Sequence, residues 1–174
     1  MKKALLIYSS TDGQTIKILE HIAKEVAPAF ESELVNLDCI DTVAWQQYDR
    51  VIIGASVRYG HLSKQLYKFI QKHLASLNEH KVAFFCVNLT ARKPGKDSVQ
   101  GSVYMQTFLK KSPWQPKLMA VFAGALLYPR YKLVDRLMIQ LIMRITGGET
   151  DSSKEVEYTD WAKVTDFARQ FCSF

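Results

Sequence analysis

Two kinds of apolar pattern alternate along this chain, and their alternation limits its fold more than any other feature. Lys3 to Ser9 is a short continuous apolar run, whereas Gln14 to Ala27 repeats Ile16, Leu19, Ile22, Ala23 and Val26 at helical spacing until Pro28 stops it. That is a strand followed by an amphipathic helix. Glu33 to Leu37 and Arg50 to Ser56 read as further strands, and Leu62 to Leu77 as a helix with Leu66, Phe69, Ile70, Leu74 and Leu77 on one face. Strands four and five are Val82 to Asn88 and Leu118 to Ala125, and the helix between them, Val99 to Lys111, turns Val103 and Phe108 inward. The closing helix, Asp160 to Phe171, carries Trp161, Val164, Phe167, Ala168 and Phe171 at helical intervals. DTVAWQQYD, between strands two and three, has room for one or two helical turns.

Segments such as VIIGAS and VAFFCVN are apolar at every position, the pattern of parallel strands covered by helices on both faces. The chain is therefore expected to be an α/β protein, a doubly wound five-stranded parallel sheet in the order 2-1-3-4-5. Its 174 residues, 48% hydrophobic, suit one buried core, so residues 1–174 are expected to form a single domain. Cys39, Cys86 and Cys172 have neither CxxC spacing nor a nearby histidine pair, which argues against a disulfide framework or a metal site and for a reducing cytoplasm. MKK followed by ALLIY imitates a signal peptide, but the apolar run is too short and no small-residue cleavage site follows it. The net charge of +6 points to an acidic partner: nucleic acid, an anionic membrane or an anionic small molecule. The basic residues are scattered and no recognition module accompanies them, so no nucleic acid is expected.

In an open parallel sheet, ligands sit beyond the carboxyl ends of the strands, and the end of the first strand here is SSTDGQT, Ser9 to Thr15. Its hydroxyls can donate hydrogen bonds, Gly13 lets the backbone approach a ligand, and the following helix directs unpaired amides and a positive dipole end toward it. A phosphate suits such a loop. The GK[ST] ending of triphosphate loops and the GxGxxG of dinucleotide sites are both missing, which favours a monophosphate. A DxDGT-type phosphatase is excluded on chemistry, because Ser10 stands where the nucleophilic aspartate would be. Two other strand ends share this edge: GASVRYGH, Gly54 to His61, and VNLTARK, Val87 to Lys93.

SSTDGQT after an N-terminal strand resembles the flavodoxin phosphate loop, [ST]xTGxT: Ser10, Gly13 and Thr15 fit, while Asp12 replaces a threonine. A carboxylate there would repel a phosphate, so Asp12 is expected to turn toward loop amides or the helix start as an N-cap. IGASVRYGH, VNLTARKP, AGALLYPRY and GGETDSSKEVEYTDW together resemble the bacterial flavodoxin-like protoporphyrinogen oxidases, across essentially the whole chain. That resemblance implies an FMN enzyme that removes six electrons and six protons from protoporphyrinogen IX, in haem synthesis, and passes the electrons to a membrane quinone, menaquinone or ubiquinone. It also implies FMN contacts from Ser10, Thr11, Asp12, Gly13, Gln14 and Thr15, from Ser56, Arg58, Tyr59 and Gly60, and from Asn88, Leu89, Thr90 and Ala91. Tyr59 is the expected stacker on the flavin ring.

Flavin chemistry needs no protein nucleophile, in keeping with a sequence that has no triad. His61 stands beside the second loop as a candidate proton acceptor, or as an ordinary surface residue. The two propionates of the porphyrinogen call for cations; Arg58, Arg92, Lys93, Arg130 and Lys132 are the candidates, or else they solvate a basic surface. Two other functions suit the same fold: an electron-carrier flavodoxin and an NAD(P)H-dependent quinone reductase. Carriers are generally acidic, and this chain is basic.

LLYPRYKLVDRLMIQLIMRITGGETD is more than a short flavodoxin needs, and forms a helical insertion at about 127–151. Its helix, Lys132 to Ile145, spaces Lys132, Arg136, Gln140 and Arg144 by four and leaves Val134, Leu137, Met138, Leu141, Ile142 and Ile145 on a broad apolar face. At about 1.5 Å per residue it is roughly 21 Å long, too short for a hydrocarbon core of roughly 30 Å. The face either lies on an anionic membrane surface or packs on the sheet or a second subunit, and Gly147 with Gly148 ends the helix.

Overall fold

The computed structural model describes residues 1–174. Five strands, β1 (Lys2–Ser9), β2 (Phe30–Asn36), β3 (Arg50–Ser56), β4 (Val82–Asn88) and β5 (Leu118–Ala123), pair in the order β2-β1-β3-β4-β5. Every pairing is parallel, as expected from strands with no polar face. The side chains alternate across the sheet, so β1 sends Leu5 and Ile7 into one core and Ala4 and Leu6 into the other. Helices α1 (Gln14–Val26) and α6 (Trp161–Ser173) cover the second face through Ile18, Leu19, Ile22, Val164, Phe167 and Phe171. Helices α2 (Lys64–Lys72), α3 (Leu74–Glu79) and α4 (Val103–Lys111) cover the first through Leu66, Phe69, Ile70, Leu77, Met105 and Phe108.

Several expected boundaries move, each for a local reason. The helix expected over Leu62 to Leu77 starts only at Lys64, where the Ser63 hydroxyl caps the Leu66 amide at 3.1 Å, and breaks at His73 into α2 and α3. The next helix starts at Val103 and not Val99, because Ser102 caps the Met105 amide at 3.3 Å. That start places Val103 outward, 63% exposed, with Met105 and Phe108 inward. DTVAWQQYD forms one 3-10 turn, Trp45–Gln47.

Strand five ends at Ala123 and not Ala125. Its neighbour β4 stops at Asn88, whose carbonyl takes a last ladder bond from the Gly124 amide, and no strand lies beyond to continue the pairing. Residues 125–127 form β6 (Ala125–Leu127), antiparallel to β7 (Glu155–Glu157), and between these runs α5 (Leu133–Thr146). This excursion has a small apolar cluster of its own: Ala125, Leu126, Leu127, Tyr128, Tyr131 and Met143. Gly147 ends α5 in the left-handed conformation, φ 74°, and the Gly147 and Gly148 amides both donate to the Met143 carbonyl.

Candidate functional site

The three strand-end loops converge because parallel strands deliver their carboxyl ends to one edge of the sheet. In the first, Gly13 sits at φ 91° immediately before α1, a conformation that lets the chain turn from strand to helix. No side chain caps this helix; the Ser10 hydroxyl accepts from the Gly13 amide instead, at 3.0 Å. The first-turn amides of α1 therefore point out of the loop unpaired. Beside them the Thr15 hydroxyl is fully buried and has no hydrogen-bond partner. A buried orphan hydroxyl next to free helix amides and a positive dipole end is an anion cradle.

Asp12 does not cap α1, contrary to expectation. It faces Arg58, 3.5 Å from carboxylate to guanidinium. Burial raises the Asp12 pKa, against the lowering effect of Arg58, so the group resists charging beside the cradle. In the second loop Tyr59 holds φ 49°, and paired backbone bonds between Arg58 and His61, 2.9 and 3.0 Å, pin the turn on either side of it. Tyr59 is 47% exposed, carries the Arg58 guanidinium over its ring, and donates its hydroxyl to Asp135 of α5. In the third loop buried Asn88 accepts the Ala91 amide at 2.9 Å, fixing the 3-10 turn Thr90–Arg92. Burial pushes the adjacent Cys86 thiol up to about 12, leaving no thiolate nucleophile there.

A cavity of about 320 Å³ lies over these loops, bordered by Ser10, Thr15, Ser56, Tyr59, Asn88 and Thr90 below and closed from above by residues of α5. Its floor is the anion cradle, with Tyr59 and the Asn88 turn bordering the cavity beyond it.

The flavodoxin domain family matches residues 5–153 of this chain. Protoporphyrinogen IX dehydrogenase [quinone] of Escherichia coli (strain K12) is 47% identical to it over 97% of this chain and 93% of the relative. The chain belongs to the protoporphyrinogen IX dehydrogenase [quinone] family. A relative of the same name from Leishmania major is 46% identical over 98% of this chain and 75% of that protein. The fold is that of oxidised flavodoxin 2 from Bacillus cereus, TM-score 0.51 at 19% identity, with 98% of each chain covered.

In this member of the protoporphyrinogen IX dehydrogenase family the expected site residues separate. Ser10, Asp12, Gln14, Thr15, Ser56, Arg58, Tyr59, Gly60, Asn88, Leu89, Thr90 and Arg92 border the cavity. Thr11, Gly13 and Ala91 belong to the same loops but shape backbone and do not line it. His61 lines a separate small pocket with Tyr67 and Tyr104. Lys93, Arg130 and Lys132 lie off the cavity: Arg130 pairs with Glu155 at 2.9 Å, and Lys132 is the exposed residue before α5. Sequence reasoning missed Tyr104, Tyr131 and the inner side of α5, namely Met138, Ile139, Ile142, Met143 and Thr146. The signal for that side was present, because Ile139, Ile142, Met143 and Thr146 recur at three- and four-residue intervals.

Proposed function

We propose that this chain oxidises protoporphyrinogen IX to protoporphyrin IX, with FMN as its redox group and a membrane quinone as electron acceptor. The observation that carries the reading is the near full-length identity to protoporphyrinogen IX dehydrogenase [quinone] of Escherichia coli, joined here to an intact cradle and slot. Three two-electron steps remove six electrons and six protons in all and convert three quinones to quinols.

The residues fit FMN. Thr15 Oγ1, the Ser10 hydroxyl and the unpaired amides of α1 would hold the phosphate, and Ser56 to Gly60 and Asn88 to Ala91 would border the ring system. When bound, FMN supplies a ring that takes electrons from the porphyrinogen and yields them to the quinone. The protein's own tasks are positional. Tyr59, held by the Arg58–His61 turn, sets one wall of the slot. Arg58 and Arg92 are the cations that border the cavity, which makes them, over Lys93, Arg130 and Lys132, the pairing groups for the propionates.

Residues 1–174 are read as one domain with the excursion at about 127–151 serving the site. Menaquinone is the proposed acceptor, at the cytoplasmic face of the cell membrane. Support for membrane contact comes from the outward side of α5, where Val134, Leu137, Leu141 and Ile145 are 73, 56, 56 and 76% exposed beside the exposed basic residues Lys132 and Arg144. No helix of the chain is long and apolar enough to cross a membrane.

The test is anaerobic: FMN-loaded protein, protoporphyrinogen IX, and soluble menaquinone or ubiquinone analogues, with porphyrin fluorescence as readout. Turnover well above autoxidation is expected, faster with the menaquinone analogue. Flavin bleached by NAD(P)H and not by porphyrinogen would move the chain to the quinone reductases, and bleaching by neither would make it a carrier.

A further inference from the structure

The floor and roof of the cavity come from different parts of the chain. Strand-end loops make the floor; α5 makes the roof with Met138, Ile139, Ile142, Met143 and Thr146. Met143 is the one fully buried side chain of α5, and Ile139 is half-buried against the same small cluster, so apolar packing anchors this helix at only two side chains. Its other attachments to the floor are polar and sit at its two ends. In the first turn Asp135 Oδ2 accepts from Arg58 Nη2 at 2.8 Å, and Asp135 Oδ1 accepts from the Tyr59 hydroxyl. In the last turn Arg92 Nη2 donates to Thr146 Oγ1 at 3.1 Å. A helix with little buried apolar surface and a few polar ties opens more readily than the sheet beneath it.

Size favours its opening. A cavity of about 320 Å³ lies at the lower end of the range for small-molecule sites, about 300–1,000 Å³. A flavin-sized group takes up space of that order, which leaves little for a four-ring macrocycle beneath α5 as it stands.

We propose that α5 is a hinged roof latched by Asp135, and that a carboxylate of the porphyrinogen opens it by taking Arg58 from Asp135. This rests on the function proposed above. The exchange substitutes one carboxylate for another on the same guanidinium while Asp12 stays 3.5 Å from it, so Arg58, about one third exposed, keeps its two carboxylate partners. The released Asp135 carboxylate lies in the first turn of α5, where the helix dipole and water both favour its charge. Tyr59 is released with it and freed to face the ring. A partner without a carboxylate has nothing to exchange, so Asp135 acts as a positioning residue that selects for acidic macrocycles.

The test uses FMN-loaded protein and amide hydrogen exchange of residues 133–146, with protoporphyrin IX and its dimethyl ester as stable probes whose binding is followed by fluorescence. Asp135→Asn is expected to speed exchange across 133–146 about tenfold and to tighten protoporphyrin IX several-fold, and Asp135→Glu to restore both toward the parent. Arg58→Gln is expected to speed exchange equally but to weaken the diacid to the level of the ester. Unchanged exchange in Asp135→Asn, or porphyrin binding no tighter than in the parent, overturns the latch. Equal binding of diacid and ester by the parent overturns the carboxylate exchange. Protoporphyrinogen oxidation by the parent is measured beside these; its absence with FMN bound overturns the function and leaves the exchange result to judge the latch.

Discussion

Gln14 Nε2 donates to Thr159 Oγ1 at 2.9 Å, joining the first residue of α1 to a residue 145 positions later. Thr159 in turn donates its hydroxyl to the Ala123 carbonyl at 2.7 Å, where β5 ends. Gln14 also reaches Glu157 on β7, at 3.2 Å, and Lys17 pairs with the same carboxylate. The start of α1, beside the loop after β1, is thus tied to the point where the chain returns from α5.

Thr159→Val keeps the shape of this buried link and removes both hydrogen bonds, leaving the Ala123 carbonyl without its hydroxyl donor and Gln14 with Glu157 as its remaining partner. A loss of about 1–3 kcal/mol is expected in urea unfolding. A change within error would mean that water replaces the hydroxyl without cost.

Thr15→Val removes the orphan hydroxyl while preserving volume. FMN affinity, followed by quenching of its fluorescence, should fall about tenfold or more, the worth of one hydrogen bond to a charged group. Flavin-free protein should be no less stable, because an unsatisfied buried group is gone. Gly13→Val places a β-branched residue at φ 91° and should abolish yellow holoprotein altogether. Stoichiometric FMN in either variant with parental affinity would move the phosphate away from this loop.

Asp12→Asn tests the electrostatics of the cradle. Burial raises the Asp12 pKa above its ordinary value of 3.8, so the folded state favours the protonated form. The stability this contributes is complete below the unfolded value and lost as pH rises through the folded one. At neutral pH the charged Asp12 therefore costs stability, and the flavin-free Asn variant should melt higher than the parent. That gap should stay constant at higher pH and close as pH falls through the raised folded pKa toward the ordinary value of 3.8. A gap independent of pH would show that the substitution acts through the Arg58 contact and not through charge.

Leu137→Glu with Leu141→Glu alters only the outward side of α5, since both residues are more than half exposed and neither lines the cavity. FMN should stay bound and the fold intact, while cosedimentation with anionic liposomes and turnover of a bilayer quinone fall about tenfold or more, given about 1.5–3 kcal/mol for each buried leucine. Parental liposome binding would leave this side without a membrane role.

The order of the sheet was legible because it follows from local pattern. Uniformly apolar strands such as Val82–Asn88 must be covered on both faces, and helices between them make parallel pairing the simple solution. The floor of the site followed from the same logic, since parallel strands bring SSTDGQT, GASVRYGH and VNLTARK to one edge whatever their side chains touch. The roof did not. Helical periodicity showed that α5 has apolar residues on a broad arc, but not that the arc is divided, with Ile139 and Met143 over the cavity and Val134, Leu137 and Leu141 left outside. That division depends on the tilt of the helix, which is set by Arg58 meeting Asp135 77 positions away and Arg92 meeting Thr146 54 positions away. The choice of Asp12 for Arg58 over the helix start is of the same kind. Sequence spacing encodes which residues share a face of one element; which faces meet is decided by long-range pairings that exist only once the sheet has brought their loops together.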